Sequence, residues 1–222
     1  MALHVLGVSA SPRERGNTDL LVREALRGAE SAGADAEYAS LRGLAIGPCT
    51  ECYACAGTGR CRVADDFQVV FEKLLAADRL VFAAPVFFMA VSAQAKLLID
   101  RCQCLWSCKY VLKQPLYADG PRQRRAMVIA VGGTKSKKMF ECIGLTMKYW
   151  FDVLEAGYFA NLFVNQVDGR GDILKHPQAM AEAFRLGAAL ADPSAPMPPK
   201  PVSVELFGSA APGRPQGGTD GR

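Results

Sequence analysis

HVLGVSASPRERGNTDLLVREALRGAESA, residues 4–32, opens with a short apolar run from His4 to Ser9. A loop rich in Ser, Pro and Gly follows. From Thr18 to Ala32 the apolar residues Leu20, Leu21, Ala25, Leu26 and Ala29 then recur at helical spacing. The order is strand, loop, helix, and it repeats outward along the chain. Ala36 to Leu41 reads as a second strand and Phe67 to Ala76 as a helix, with Asp65 and Asp66 as candidate caps. Arg79 to Ala84 is a continuous apolar run after its first residue, as a strand buried on both faces requires. Val91 to Cys104 is helical, Ala126 to Val131 a strand ending at Gly132 and Gly133, Lys138 to Leu154 a long amphipathic helix, Gly157 to Val164 a last strand and Pro177 to Leu190 a last helix. Parallel neighbours need a crossover that a helix supplies, so five such strands predict an α/β three-layer sandwich around a doubly wound parallel sheet.

The chain has 222 residues, is 50% hydrophobic and 22% charged, and has a mean hydropathy of +0.08. That is enough to bury the core of one domain, placed at residues 1–191, and it excludes a fibrous or wholly disordered protein. The remaining stretch, 192–222, is dense in Pro and Gly and reads as a tail; within it the Val202–Phe207 run is either loose or an arm that docks on a partner subunit. A net charge of +4 is far from the basic stripe of a nucleic-acid binder. The longest apolar candidate, Leu80 to Val91, is too short to span a bilayer and is broken by Pro85. No basic leader or cleavage site opens the chain, so a cytoplasmic location is expected, and its eight cysteines are read as reduced thiols rather than a disulfide framework.

Ser9-Ala10-Ser11-Pro12-Arg13-Glu14-Arg15-Gly16-Asn17-Thr18 joins the first strand to the first helix, where an open parallel sheet places its ligand crevice. A phosphate there meets backbone N–H groups and the positive end of a helix dipole. Ser9, Ser11, Asn17 and Thr18 add short donors, Gly16 permits close backbone approach, and Arg13 supplies charge. The alternative is a polar turn with Asn17 or Thr18 as a cap. A GxGxxG fingerprint is missing, which speaks against a dinucleotide pyrophosphate. Further on, Ala84-Pro85-Val86-Phe87-Phe88 ends in a flat apolar loop that suits a tricyclic ring, with Phe87 and Phe88 read as lying beyond the strand.

The loop resembles the S-x-S-P-x-x-x-G-N-T phosphate loop of the flavodoxin-like NAD(P)H-dependent FMN reductases, and the likeness continues through Pro85 to Phe88 and from Lys96 to Asp100-Arg101. It covers roughly Leu3 to Leu190. It implies a flavodoxin-like sheet of order 2-1-3-4-5 that binds FMN, with Ser9, Ser11, Pro12, Arg13, Gly16, Asn17 and Thr18 around the phosphate. It also places Pro85, Val86, Phe87 and Phe88 against one side of the ring and Gly132, Gly133 and Thr134 on its other side. Phe87 stands where the family usually carries Tyr. NAD(P)H is implied as substrate, and a homo-oligomer, dimer or tetramer, as the assembly. Lys96 and Asp100 are equally well an i,i+4 ion pair.

Cys49, Cys52, Cys55 and Cys61 form C-x2-C-x2-C-x5-C inside the loop 48–62, interspersed with Gly57 and Gly59. Successive x2 spacings let a short chain wrap a compact cluster and present thiolates to different irons, which favours 4Fe-4S; zinc and free redox thiols are the alternatives. The segment resembles the compact cluster motif of the iron–sulfur flavoproteins, a branch of the same group. Cys102, Cys104, Cys108 and Cys142 lie on predicted helices and read as core. His4 and His176 have no ligand spacing, and Lys135, Lys137 and Lys138 read as a solvated cluster or a contact for a dinucleotide phosphate.

The expected activity is an FMN-dependent oxidoreductase that converts two-electron hydride chemistry into one-electron transfer through the cluster, with a ferredoxin-like partner or a small-molecule acceptor. Backbone N–H groups near Gly132 and Gly133 are expected to face the anionic edge of the reduced ring. The alternatives are a non-enzymatic electron carrier and a simple flavin or quinone reductase whose cysteine loop holds zinc or nothing. No catalytic side chain is assigned, because the cofactor carries the chemistry.

Overall fold

A computed structural model describes residues 2–117 and 122–208; residues 209–222 of the expected tail lie outside that range. Each of the five expected strands is present: β1 (His4–Ser9), β2 (Asp35–Ser40), β3 (Arg79–Phe87), β5 (Arg124–Val131) and β6 (Ala156–Val164). They pair in parallel in the order β2-β1-β3-β5-β6, the flavodoxin-like 2-1-3-4-5 order when counted by themselves. Two further strands correct the count from five to seven. Ala90–Val91, β4, folds back antiparallel on the end of β3, and Val202–Leu206, β7, adds in parallel to β6.

β7 also corrects the domain limit at residue 191. The run does not hang loose: it pairs from Ala160↔Val202 to Val164↔Leu206 and buries Leu206. Its alternation of Val202, Val204 and Leu206 with Ser203 and Glu205 is the signature of a half-exposed edge strand. A second correction concerns β3, which continues through Pro85 and Val86 to Phe87, so Phe87 belongs to the strand.

In β3 and β5 side chains alternate between the two faces, as the pleat demands. Leu80, Phe82 and Ala84 face one core while Val81 and Ala83 face the other, and β5 splits in the same way. Helices α3 (Phe67–Ala76), α4 (Ala93–Arg101) and α6 (Glu141–Val153) cover the first face, α1 (Asn17–Ser31) and α7 (Pro177–Ala191) cover the second, and the short α2 (Ala54–Thr58) and α5 (Gln103–Trp106) lie by the cysteines. The long helix expected from Lys138 begins as a 3-10 turn, Lys137–Phe140, before α6. Asp66 is the N-cap of α3 but its carboxylate accepts from Ala45 N at 2.7 Å instead of capping, while Asp65 Oδ1, one residue earlier, accepts from Phe67 N at 3.0 Å. His176 Nδ1 accepts from Ala179 N and caps α7, and His4 pairs with Glu37 at 3.3 Å, so both histidines are structural.

At the N-terminal edge of the sheet three buried arginines close the helix ends. Arg79 Nε donates to Leu190 O at 2.9 Å, Arg124 Nε to Ala77 O at 2.8 Å with its other nitrogens on Leu74 O and Leu154 O, and Arg125 reaches Asp192 O and Ala195 O. Carbonyls at a helix C-terminus have no partner within the helix and carry partial negative charge, so a guanidinium satisfies both requirements at once. Burial lowers the basicity of Arg79 and Arg124.

Helices α1 and α7 touch backbone to backbone. A Cβ on Gly187 would lie 1.9 Å from Ala25 O, and one on Gly28 would lie 2.0 Å from Phe184 O. Gly187→Ala gains ~1 kcal/mol of helix propensity but forces the two backbones apart, an overpacking cost of ~3 kcal/mol or more. A net loss of at least ~2 kcal/mol is expected in urea unfolding at unchanged m-value. A variant as stable as the parent would show that this close approach does not hold the helices together.

Candidate functional site

The turn after β1 lies at the carboxyl edge of the sheet, and its expected phosphate ligands are largely buried there. Ser9 is 0%, Ser11 5% and Thr18 1% exposed. Gly16 is the N-cap of α1 and no side chain caps the helix. The first intrahelical bond runs from Leu20 N to Gly16 O, so the N–H groups of Asn17, Thr18 and Asp19 lie ahead of it at the positive end of the dipole. A Cβ on Gly16 would sit 2.6 Å from Ser11 Oγ and 3.0 Å from Arg13 O, so the cradle admits only glycine without a shift. These features fit a phosphate group.

Other members of the loop are already engaged. Ser11 Oγ donates to Arg13 O at 2.8 Å and accepts from Arg13 N, forming a turn around Pro12. Arg13 Nη1 donates to Asp168 O at 3.1 Å. The Asn17 side chain donates to Gly169 O and accepts from Ile173 N, so it braces the 169–173 loop instead of pointing a donor at the phosphate position. Sequence reading missed Asp19, which is 3% exposed and accepts from Arg15 N at 3.0 Å and from the Tyr38 hydroxyl. Asp19 thereby stabilises the left-handed backbone of Arg15, φ 52°, inside the loop. Burial, together with the Asp19 carboxylate, pushes the Tyr38 phenol above its ordinary value.

The strand order puts the ends of β3 and β5 beside this loop. Pro85 is in register with Val131, and Val86 lies within 3.3 Å of a Cβ on Gly132. Phe88 and Met89, at φ 46° and 64°, form the turn between β3 and β4, and Phe88 is fully exposed. Positive φ in bulky residues is strain that the hairpin imposes. Gly132 N donates to Val164 O, which leaves the expected N–H contact with the ring to Gly133 and Thr134. A Cβ on Gly133 would meet Asp168 Oδ1 at 3.0 Å, and Thr134 O accepts from Gln166 N at 3.3 Å. The segment 164–173 therefore ties the turn after β1 to the 132–134 loop. Lys96 and Asp100 form an exposed ion pair at 2.7 Å.

Cys49, Cys52, Cys55 and Cys61 line one cavity of about 900 Å³. Cys55 Sγ is 3.4 Å from Ser107 Oγ, and Arg101 Nε donates to Cys61 Sγ at 3.3 Å. Four soft thiol donors on one cavity fit an iron–sulfur or zinc group by their chemistry. Among the described residues, however, no three of His, Cys, Asp or Glu stand in a metal-holding arrangement. Two of the remaining cysteines are core as expected, but Cys108 is half-buried and Cys142 exposed, which corrects that reading. Cys104 also lines the cavity; burial, then the nearby Cys61 and Cys55, pushes its thiol up to about 12 and keeps it protonated. Burial would raise the Asp65 carboxyl, but Arg101 and the N–H groups of Gly47 and Phe67 outweigh it and hold Asp65 below the usual carboxylate range.

No helix among the described residues is long and apolar enough to cross a membrane. An iron–sulfur flavoprotein of Methanocaldococcus jannaschii is 42% identical over 103 residues, 46% of this chain and 53% of its own length, so the chain spans about half of that relative. A Bacillus subtilis protein named as an NAD(P)H-dependent FMN-containing oxidoreductase is 31% identical over 182 residues, 81% of this chain and 93% of its own. The solved Trp repressor binding protein of Bacillus subtilis superposes with a TM-score of 0.56 at 29% identity, covering 82% of this chain and 98% of that one. The model of the NADPH-dependent FMN reductases matches residues 3–149, which contain the phosphate loop, the Pro85–Phe88 hairpin and the Gly132 loop. On that match and that shared geometry, the chain belongs to the NADPH-dependent FMN reductase family.

Proposed function

We propose that the protein is an NAD(P)H-dependent FMN oxidoreductase of the iron–sulfur flavoprotein type, working in the cytoplasm as a homo-oligomer. The observation that carries the FMN reading is the uncapped start of α1, held by Gly16 and Ser11 next to the Pro85–Phe88 hairpin and the 132–134 loop. Bound FMN would supply hydride acceptance at N5 and one-electron release. The N–H groups of residues 17–19, with Ser9 and Thr18, would hold its phosphate, Ser11 would shape the turn around it through Arg13, and Arg13 would add positive charge. Pro85, Val86, Phe87 and Phe88 would exclude water from one side of the ring, and Gly133 and Thr134 would present N–H groups to its opposite edge. Cys49, Cys52, Cys55 and Cys61 would hold a 4Fe-4S cluster that passes single electrons to a ferredoxin-like partner or a small-molecule acceptor. The spacing of the thiols, their shared cavity and the name of the M. jannaschii relative support this part.

Fluorescence titration of the apoprotein tests the binding site. Ser11→Asp sets a carboxylate beside the phosphate and should weaken FMN more than a hundredfold, roughly 3 kcal/mol at the effective dielectric of a partly buried site. Phe88→Ala should leave stability within ~0.5 kcal/mol, since Phe88 is exposed, yet weaken FMN by about 1–3 kcal/mol through lost ring contact. Unchanged affinity in both variants would remove the flavin from this edge of the sheet.

Anaerobic addition of NADPH or NADH to the FMN-loaded protein should bleach the flavin band near its absorption maximum. Failure of both to do so, with reduction by a ferredoxin-like donor intact, would make the protein an electron carrier instead.

Anaerobic reconstitution with iron and sulfide should give about four of each per chain, and Cys55→Ser should lose that iron while keeping FMN. Stoichiometric zinc, or no metal, would leave a flavin reductase without a cluster.

A further inference from the structure

Arg101 ends α4 with a side chain only 1% exposed. Its donors all reach the segment that brackets the cysteines. Nη1 donates to Gly47 O at 3.0 Å and to Asp65 Oδ2 at 2.6 Å, Nη2 to Val63 O at 3.0 Å, and Nε to Cys61 Sγ at 3.3 Å. Asp65 Oδ2 also accepts from Gly47 N at 2.9 Å, and the guanidinium lies over the Phe67 ring at 4.6 Å. One planar fork thus fastens both ends of the cysteine loop to the rim of the cavity. The three oxygen acceptors suffice for a fastening; the fourth donor is aimed at a sulfur.

We propose that Arg101 is the positioning residue of the cysteine cluster, fixing Cys61 and setting the reduction potential of the group the four thiolates hold. The assignment rests on the iron–sulfur reading above. An N–H donated to a ligating sulfur withdraws electron density from it, and a buried cation offsets the negative charge that one-electron reduction adds; both favour the reduced state. Asp65 acts in the opposite electrostatic sense through the same fork. Lysine carries the same charge as arginine but presents it as a point, without a fork able to reach four acceptors.

The test uses the full chain, loaded with FMN and reconstituted anaerobically, in three forms: parent, Arg101→Lys and Asp65→Asn. Iron and sulfide per chain, FMN content and the cluster midpoint potential, read by optical and paramagnetic-resonance titration, are measured on each. Arg101→Lys should keep FMN, and its midpoint should move to a more negative value; release of iron to a chelator should be at least severalfold faster. Should Arg101→Lys lose the cluster with FMN retained, a clasp accounts for the loss as well, and the midpoint of Asp65→Asn decides between the two. Asp65→Asn leaves the N–H to sulfur contact and removes a negative charge, so its midpoint should move positive. A purely structural clasp would shift both variants in the same direction, and that result overturns the proposal. So does a loaded Arg101→Lys whose midpoint equals the parent's. Should Arg101→Lys fail to hold FMN, Asp65→Asn decides by itself, an unmoved or more negative midpoint counting against the assignment. A parent that takes up no iron and sulfide refutes the iron–sulfur reading and this proposal together, whereas an unmoved potential in a loaded variant refutes the role of Arg101 alone.

Discussion

Where α1 crosses α7, Gly28 and Gly187 leave no side chain between the helices, and each main chain rests on the carbonyl of the other. This contact seats α1 deep against the second face of the sheet and fixes where the helix begins. Its first N–H groups then point into the turn after β1, held by Gly16 and Asp19. Larger residues would push α1 and α7 apart by the thickness of a methyl group. The phosphate loop would move with α1, because the turn between Ser9 and Asn17 has no slack: Ser11, Arg13, Arg15 and Asn17 are each hydrogen-bonded in place.

The same layering gives the molecule two chemically different edges. Parallel strands separated by crossover helices collect helix N-termini at one edge and C-termini at the other. The carboxyl edge receives the open start of α1, suited to an anion. The opposite edge receives the ends of α3, α6 and α7, whose carbonyls are met by Arg79 and Arg124. These arginines donate to carbonyl oxygens, so the helix dipoles share with the nearby Asp78 carboxylate in compensating their charge.

β3 and β5 were legible because each is buried on both faces and reads as a nearly unbroken apolar run, whereas β2, at the edge, was legible only as a short segment between helix and loop. The turn from Ser9 to Thr18 was legible as the link between a strand and a helix, and the structure places it there between β1 and α1. What failed has physical causes. β4 is two residues long and carries no periodicity, so nothing announced that Pro85 to Phe87 would continue β3 into a hairpin. β7 follows a proline-rich stretch that reads as a break in the core, although its alternation was present. Asn17 has the right chemistry for a phosphate ligand, but its amide is satisfied by the 169–173 loop, a partner more than 150 residues away. Asp19, Arg101 and Arg124 are charged residues whose roles exist only through tertiary neighbours; in sequence each sits on or beside an amphipathic element and looks solvated. The side-chain parity of β6 was equally hidden, since the register slips between Ala126 and Met127, leaving Phe159 as the extra residue that brings Tyr158 and Phe163 to one face.

β7 has one more effect. A parallel sheet that ended at β6 would present nine residues of mostly buried, apolar strand as an open template for another chain. With β7 in place the outermost strands are β2 and β7, of six and five residues, and both are broken up by carboxylates, Asp35 and Glu37 on one and Glu205 on the other. Short, acidic borders of this kind disfavour strand-to-strand stacking between molecules, so the segment beyond residue 191 guards the protein against aggregation as well as completing its sheet.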